Sequence, residues 1–265
     1  MTAVFSTIRS NPYDSAHSCY GAWRENEFVG AVNREQKFSR LAQCAHGRFR
    51  QFVAESDFPC VGAKAAINGN CYRYGFYSEM NTADATIGLA HDLWTFAHEQ
   101  TGFGTNYATF VASFAKPVIE NEKIWEEMLW TQLQSLHELD NQHHAWDASV
   151  SSDTESADFS FSFAETGFFV VGLHPGSSRL SRQFAFPTLV FNPHAQFERL
   201  REENKFERMQ QTIRARDLKL QNSLNPNLSN YGDKSEARQY SGRAVEENWR
   251  CPFHALTSAA KNSLK

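Results

Sequence analysis

The spacing of apolar residues predicts interleaved helices and strands along most of the chain. In 34–56 and 120–139 apolar positions recur every three or four residues, which is typical of amphipathic helices. Two further helices are predicted from their ends: 82–101 from a threonine cap and the glycine that follows, and 193–220 from its Asn-Pro start. Shorter runs of aromatic and β-branched residues, some alternating with small ones, are typical of strands. The predicted helices are 34–56, 82–101, 120–139 and 193–220, the last with a break near Asn204, and the predicted strands are 71–77, 106–114, 159–163, 168–173 and 189–191.

These elements predict an α+β fold, because they interleave without the regular strand–helix–strand rhythm of a parallel α/β protein. We expect a single domain with a mixed sheet flanked by helices at 34–254, preceded by an irregular N-terminal arm at 1–33 and followed by a flexible tail at 255–265. Asn192 before Pro193 predicts that the last helix is capped by the asparagine and begins at the proline.

Composition and charge exclude several classes of function. The net charge is −4 and the pI is about 6.2, so no basic surface for nucleic acid is expected. No run approaches the roughly 20 apolar residues that cross a bilayer. Five cysteines at scattered spacings, without an apolar leader, predict reduced thiols in a cytoplasm. The 22 Phe, 8 Tyr and 6 Trp predict either an aromatic core or a pocket lined by flat rings.

Two histidines near the ends of predicted strands are candidate metal ligands. His174 follows the strand 168–173, and Gly172 on the same face leaves room for a flat ligand to approach its imidazole, which favours His174 narrowly. His194 falls in the first turn of a helix, where the dipole disfavours the charged imidazolium and leaves the neutral form that binds iron. Cys251, beside Trp249, is a third candidate ligand. Each of these three residues could instead be a core or surface side chain without a role in ligand binding.

Two arginines between these histidines are candidate anion-binding residues. Arg179 and Arg182 lie close to Ser178, and guanidinium groups beside small hydroxyls suit a carboxylate or phosphate. The sequence lacks GxGxxG, GxxxxGK[ST], HExxH and GxSxG, so dinucleotide-binding, P-loop, zincin and hydrolase interpretations lose support.

Long ordered motifs make the chain resemble the YqcI/YcgG family from about residue 38 to residue 253. The motifs are 58–60 (FPC), 144–147 (HAWD), 172–179 (GLHPGSSR), 189–198 (LVFNPHAQFE), 213–217 (IRARD), 225–226 (NP), 235–243 (SEARQYSGR) and 249–253 (WRCPF). Gln183 departs from the family pattern, in which an arginine is expected, and this puts only a second arginine at that place in doubt.

The resemblance implies haem chemistry. Members with assigned activity are haem proteins that hydroxylate guanidine nitrogens in the biosynthesis of D-cycloserine and guanitoxin. The chain would then be an N-oxygenase using haem b, O₂ and an external reductant or electron-donor protein; a homodimer is left open. Arg179, Arg182 and Ser178 would hold haem propionates or a substrate carboxylate. The candidate acids for the guanidinium are Glu165, Glu198, Asp217 and Glu236.

Two other functions are kept as alternatives. The first is a haem carrier or sensor that catalyses no reaction and needs no acid for a substrate. The second is a non-haem iron oxygenase, whose histidines would be His91, His98, His143 and His144. The non-haem iron oxygenase ranks third, because the sequence has no paired ExxH motif and the resemblance implies haem.

Overall fold

A seven-stranded mixed sheet lies at the centre of the computed structural model, which describes residues 10–226 and 233–256. The strands are β1 (Gly21–Arg24), β2 (Glu27–Gly30), β3 (Tyr72–Glu79), β4 (Thr109–Lys116), β5 (Phe161–Phe163), β6 (Thr166–Leu173) and β7 (Thr188–Pro193). Their order is β2-β1-β3-β4-β7-β6-β5. β3 and β4 are parallel, and every other neighbouring pair is antiparallel.

Helices cover both faces of this sheet. They are α1 (Arg40–Ala54), α2 (Val61–Asn68), α3 (Ala83–Glu99), α4 (Glu122–Asp140), α5 (His194–Glu202), α6 (Phe206–Gln221) and α7 (Ala237–Tyr240). α3 and α4 pack into one aromatic core with Phe110, Phe114 and Phe168. α1 and α2 pack into a second core with Tyr74 and Val111. The predicted α+β fold with a mixed sheet and flanking helices is therefore confirmed.

Side-chain caps explain where three of the helices begin. The side chains of Ser39, Thr82 and Asn121 each accept a hydrogen bond from a backbone N–H in the first turn of α1, α3 and α4. The break expected near Asn204 is confirmed: α5 ends at Glu202, and Asn204 has a positive φ of 55° before α6 begins.

Three local expectations are wrong. The N-terminal arm is not irregular throughout, because β1 and β2 form a hairpin whose turn holds Glu25 and Asn26 at positive φ. α2 was not expected after Pro59. Asn192 does not cap a helix: β7 runs through Pro193, and the Asn192 amide donates to the Phe169 carbonyl. Of the tail predicted at 255–265, residues 257–265 lie outside the described residues.

Candidate functional site

An apolar cavity of about 350 Å³ lies between the sheet and the helices α1, α2, α5 and α6. Small-molecule sites typically have volumes of roughly 300–1,000 Å³. Because side chains alternate along β6, Val171 and Leu173 face the cavity while Val170 belongs to the core on the other side. Other apolar lining residues are Phe49, Phe58, Ile67, Phe197, Phe206 and Ile213.

His194 lines this cavity at the first residue of α5 and is only 5% exposed. Burial lowers the pKa of its imidazole, which keeps the ring neutral. The neutral form expected from the sequence therefore has burial as its largest cause, with the charge of Glu198 opposing it. A neutral imidazole is the form that can bind iron.

A hydrogen-bonded chain connects His194 to a carboxyl group in the cavity wall. The His194 Nδ1 lies 3.0 Å from Ser160 Oγ, and Ser160 Oγ donates to Glu236 Oε1 at 2.6 Å. Tyr240 OH donates to the same oxygen at 2.5 Å. Two proton arrangements satisfy this chain: if Ser160 donates to Glu236, Nδ1 of His194 donates to Ser160, and if Glu236 is protonated and donates to Ser160, the Ser160 hydroxyl donates to Nδ1. The first arrangement leaves the lone pair of the neutral ring on Nε2, as binding of a metal by that nitrogen requires.

Nε2 of His194 faces Glu198, one turn later in α5. The distance from Nε2 to Glu198 Oε1 is 3.1 Å, and Glu198 also pairs with Arg201. The side chain of Glu198 is 44% exposed. Glu198 would have to turn towards solvent before Nε2 could bind a metal, and its exposure makes that movement sterically feasible.

Arg179 and Arg182 form a cationic part of the cavity wall together with Asp217. Arg179 donates to Asp217 Oδ2 at 2.5 Å, while its Nε has no hydrogen-bond partner among the described residues. Arg182 donates to the backbone carbonyl of Tyr240 at 3.0 Å. Burial lowers the pKa of Arg182 to about 10, so the group stays charged at neutral pH in an environment that disfavours the charge. Two positively charged arginines lie beside one carboxylate here, so one positive charge is available to an anionic group of a ligand.

His174 lies on the opposite face of the sheet and does not line the cavity. Its ring stacks on Trp125 of α4 with centroids 5.2 Å apart, and it is 0% exposed. The space expected beside Gly172 is filled: a Cβ there would lie 2.8 Å from atoms of Trp125 and Leu129. The reason given for preferring His174 is therefore wrong, since the glycine admits an indole and not a ligand. Neither ring nitrogen of His174 has a partner among the described residues, and burial lowers its pKa to about 4.

The remaining predicted site residues lie outside the cavity lining. Ser178 is exposed and donates through both N–H and Oγ to Glu122 near the start of α4. Cys251 lies in the aromatic core, where burial raises the pKa of its thiol to about 12. Glu165 is exposed in the turn between β5 and β6. Of the four candidate acids, the structure places only Asp217 and Glu236 in the cavity wall.

Two cavity residues had no role in the sequence interpretation. Cys60 caps α2 through its sulfur and faces the cavity, and burial raises the pKa of its thiol. Gln196 is 4% exposed, and its Oε1 has no hydrogen-bond partner among the described residues. Both lie inside the motifs 58–60 and 189–198, so motif membership was the available signal. Membership in a motif could not reveal that 58–60 and 189–198 lie on the same cavity.

The histidines of the non-haem iron alternative are bound to other partners. His91 contacts Asp92, His98 stacks on Trp94, and His144 contacts Asp140. Within 10–226 and 233–256 no group of three or more His, Cys, Asp or Glu side chains could hold a metal ion. In the same ranges no helix has the length and apolar character needed to cross a membrane.

Comparison with known proteins identifies the family. The YqcI/YcgG family matches residues 49–254. A protein of Bacillus subtilis strain 168, named uncharacterized protein YqcI, is 27% identical in an alignment of 219 residues that covers 78% of this chain and 84% of that protein. No solved structure matches the chain. The match spans the sheet from β3 to β7 and every wall of the cavity, and the chain belongs to the YqcI/YcgG family.

Proposed function

We propose that this protein is a haem-dependent N-oxygenase that hydroxylates a guanidine-containing small molecule, such as arginine or an arginine-derived metabolite, in natural-product biosynthesis. The observation that carries the proposal is that a buried neutral imidazole and two arginines face one apolar cavity. A cytoplasmic setting is part of the proposal, and five free thiols support it.

The cavity residues fit a haem by their chemistry. His194 offers Nε2 as an iron ligand, and its Nδ1, 3.0 Å from Ser160 Oγ, would then donate to Ser160, as the second nitrogen of a metal-bound histidine usually does. Arg179 and Arg182 suit the propionates or a substrate carboxylate, and the unpartnered Nε of Arg179 is a donor available for one. When bound, a haem supplies the oxidising chemistry, with O₂ and electrons from an external reductant or electron-donor protein.

The chain's own residues would bind, orient and enclose the substrate. A cavity acid would pair with the guanidinium, and the apolar side chains of α1, α2 and α6 would exclude water. In the overall reaction one oxygen atom enters an N–OH group and the other leaves as water. The balance requires two electrons from the reductant and two protons.

The absorption spectrum of the purified protein, expressed with a haem precursor, tests the iron ligand. We expect His194→Ala to lose or shift the wild-type haem band, and added imidazole to restore it, because free imidazole can occupy the vacated position. His174→Phe is the matched control, since it keeps a ring on Trp125 and should keep the band. An unchanged band in His194→Ala would refute the assignment of His194.

Turnover is tested by incubating the haem-loaded protein with arginine and other guanidines, reductant and O₂. A product about sixteen mass units heavier than the substrate is expected from the N-oxygenation stoichiometry. Haem binding without product from any guanidine would instead favour the carrier or sensor, which needs the same histidine and arginines but no acid.

A further inference from the structure

Glu236 has one carboxyl oxygen that accepts no hydrogen bond from the described residues. Ser160 and Tyr240 both donate to Oε1, at 2.6 and 2.5 Å, and no described residue donates to Oε2. Glu236 lines the cavity, so its carboxyl group borders the space where a ligand would lie. A carboxylate can accept about four hydrogen bonds, and half of that capacity is therefore available.

No cation in the described structure forms an ion pair with Glu236. Arg201 is the cation that influences it most, but Arg201 pairs with Glu198 and stacks over the Phe206 ring at 4.5 Å. His194 is connected to Glu236 through the hydroxyl of Ser160, and burial keeps the imidazole of His194 neutral. Burial consequently raises the pKa of Glu236 to about 8, although the bonds from Ser160 and Tyr240 oppose the shift. A cationic ligand would supply the missing opposite charge.

Gln196 adds a second unsatisfied acceptor to the same cavity. Its Oε1 is buried without a hydrogen-bond partner among residues 10–226 and 233–256. Buried acceptors in native proteins are nearly always paired, so an orphaned one in a cavity wall indicates a missing donor. Because Gln196 lines the cavity, a ligand bound there could supply this donor.

We propose that Glu236 and Gln196 form a cation subsite that binds the guanidinium group of the substrate. This inference rests on the proposed function for the choice of guanidinium over other organic cations. A guanidinium has five N–H donors in a rigid plane and can reach a carboxylate and an amide oxygen together, whereas an ammonium is a compact point charge. Asp217 is bonded to Arg179 and Ser181, which leaves Glu236 as the cavity acid that pairs with substrate.

Calorimetric titration of the purified protein tests the subsite without requiring turnover. The probes are arginine, agmatine and methylguanidine, and each is compared with its urea analogue: citrulline for arginine, N-carbamoylputrescine for agmatine and methylurea for methylguanidine. We expect the wild type to bind guanidines about 10- to 100-fold more tightly than ureas, the size of a charge-assisted hydrogen bond. Glu236→Gln should abolish this preference, and Gln196→Leu should weaken guanidine binding about 2- to 10-fold.

Glu202→Gln is the matched control, because it changes an exposed acid at the end of α5 and should leave the preference unchanged. A Glu236→Gln protein that still prefers guanidines would overturn the inference, even if haem binds and product forms. Failure of all three guanidines to bind the wild type better than ureas would overturn it as well, and this comparison needs no variant. Haem content is measured on the same samples. A charge preference that depends on Glu236 in a protein that binds no haem would support the subsite and refute the oxygenase.

Discussion

His46 is enclosed by aromatic rings and is only 1% exposed. Its ring stacks on Phe28 with centroids 4.1 Å apart, and its Nε2 lies 2.7 Å from the hydroxyl of Tyr72. Burial and then the nearby charge of Arg50 lower the pKa of His46 to about 3. The unfolded chain, with an ordinary histidine pKa near 6.5, therefore binds a proton that the folded protein excludes.

Stability should consequently fall as the pH decreases from about 6.5 towards 3. Between pH 6.5 and 5 we expect His46 to reduce the free energy of unfolding by about 2 kcal/mol, since the slope approaches about 1.4 kcal/mol per pH unit. Urea unfolding at pH 7 and pH 5 measures the change. His46→Gln can still bond to Tyr72 but does not titrate, so its loss of stability should be smaller. Equal losses in both proteins would contradict the assignment.

At the scale of residues, the sequence predicted which side chains line the cavity better than it predicted what packs against each of them. His194, Arg179, Arg182 and Glu236 are all in the cavity wall, as a ligand site at those residues requires. His174 is not, because the side chain that fills the space beside Gly172 comes from Trp125, 47 positions earlier. Strand alternation revealed which residues share a face but not what covers that face.

At the scale of elements, the N-terminal segment is attached to α3 through Asp92. This carboxylate is 0% exposed and accepts hydrogen bonds from Ser18 Oγ, the Cys19 N–H and Tyr77 OH at 2.5, 2.7 and 2.7 Å. Asp92 thereby connects the residues that precede β1 to both α3 and β3, in addition to the bond from Tyr20 to Glu99 and the pairing of β1 with β3. A buried acceptor shared by three donors makes the docking of the β1–β2 hairpin sensitive to the loss of this side chain.

Replacement of Asp92 by Ala should therefore loosen the docking of the hairpin. Two buried donors, Cys19 N–H and Tyr77 OH, would lose their partner, and we expect a loss of about 2–4 kcal/mol in the free energy of unfolding. Amide hydrogen exchange should accelerate in β1 and β2 more than in α4. Asp84→Ala is the control, because Asp84 lies on the same helix with a side chain that is 70% exposed. Uniform acceleration over the whole chain would argue against a local anchor.

The elements that were missed carry weak sequence signals. β1 and β2 have four residues each, too few for a period to appear, and their turn uses Glu25 and Asn26 without a glycine. α2 has eight residues and begins directly after Pro59 and Cys60, where a stop was expected. The long helices carry stronger signals: α4 repeats its apolar spacing over several turns, and α3 begins at a threonine cap and is followed by a glycine.

For the whole molecule, the cavity is formed by segments that are far apart in the chain. α1 and α2 come before β3, whereas β6, β7, α5 and α6 follow the long helix α4. A ligand that contacts both groups binds the folded protein and not the unfolded chain. Ligand binding and global stability are therefore linked, and the linkage depends on the ligand concentration relative to its dissociation constant.

Haem at 100 times its dissociation constant should raise the free energy of unfolding by about 2.7 kcal/mol. For a chain of this size that corresponds to an increase in Tm of about 5–10 °C. His194→Ala should shrink the increase at the same haem concentration, because the variant lacks the iron ligand that we propose. His174→Phe should keep it, since that side chain lies across the sheet from the cavity. Thermal unfolding of the three proteins with and without haem measures the effect, and the Tm of each haem-free protein corrects for damage by the substitution itself.

If the Tm of His194→Ala rose with haem as much as that of the wild type, the haem would have to bind elsewhere or through another ligand. If haem raised no Tm at all, the cavity would not be a haem site, whatever the spectrum of the expressed protein.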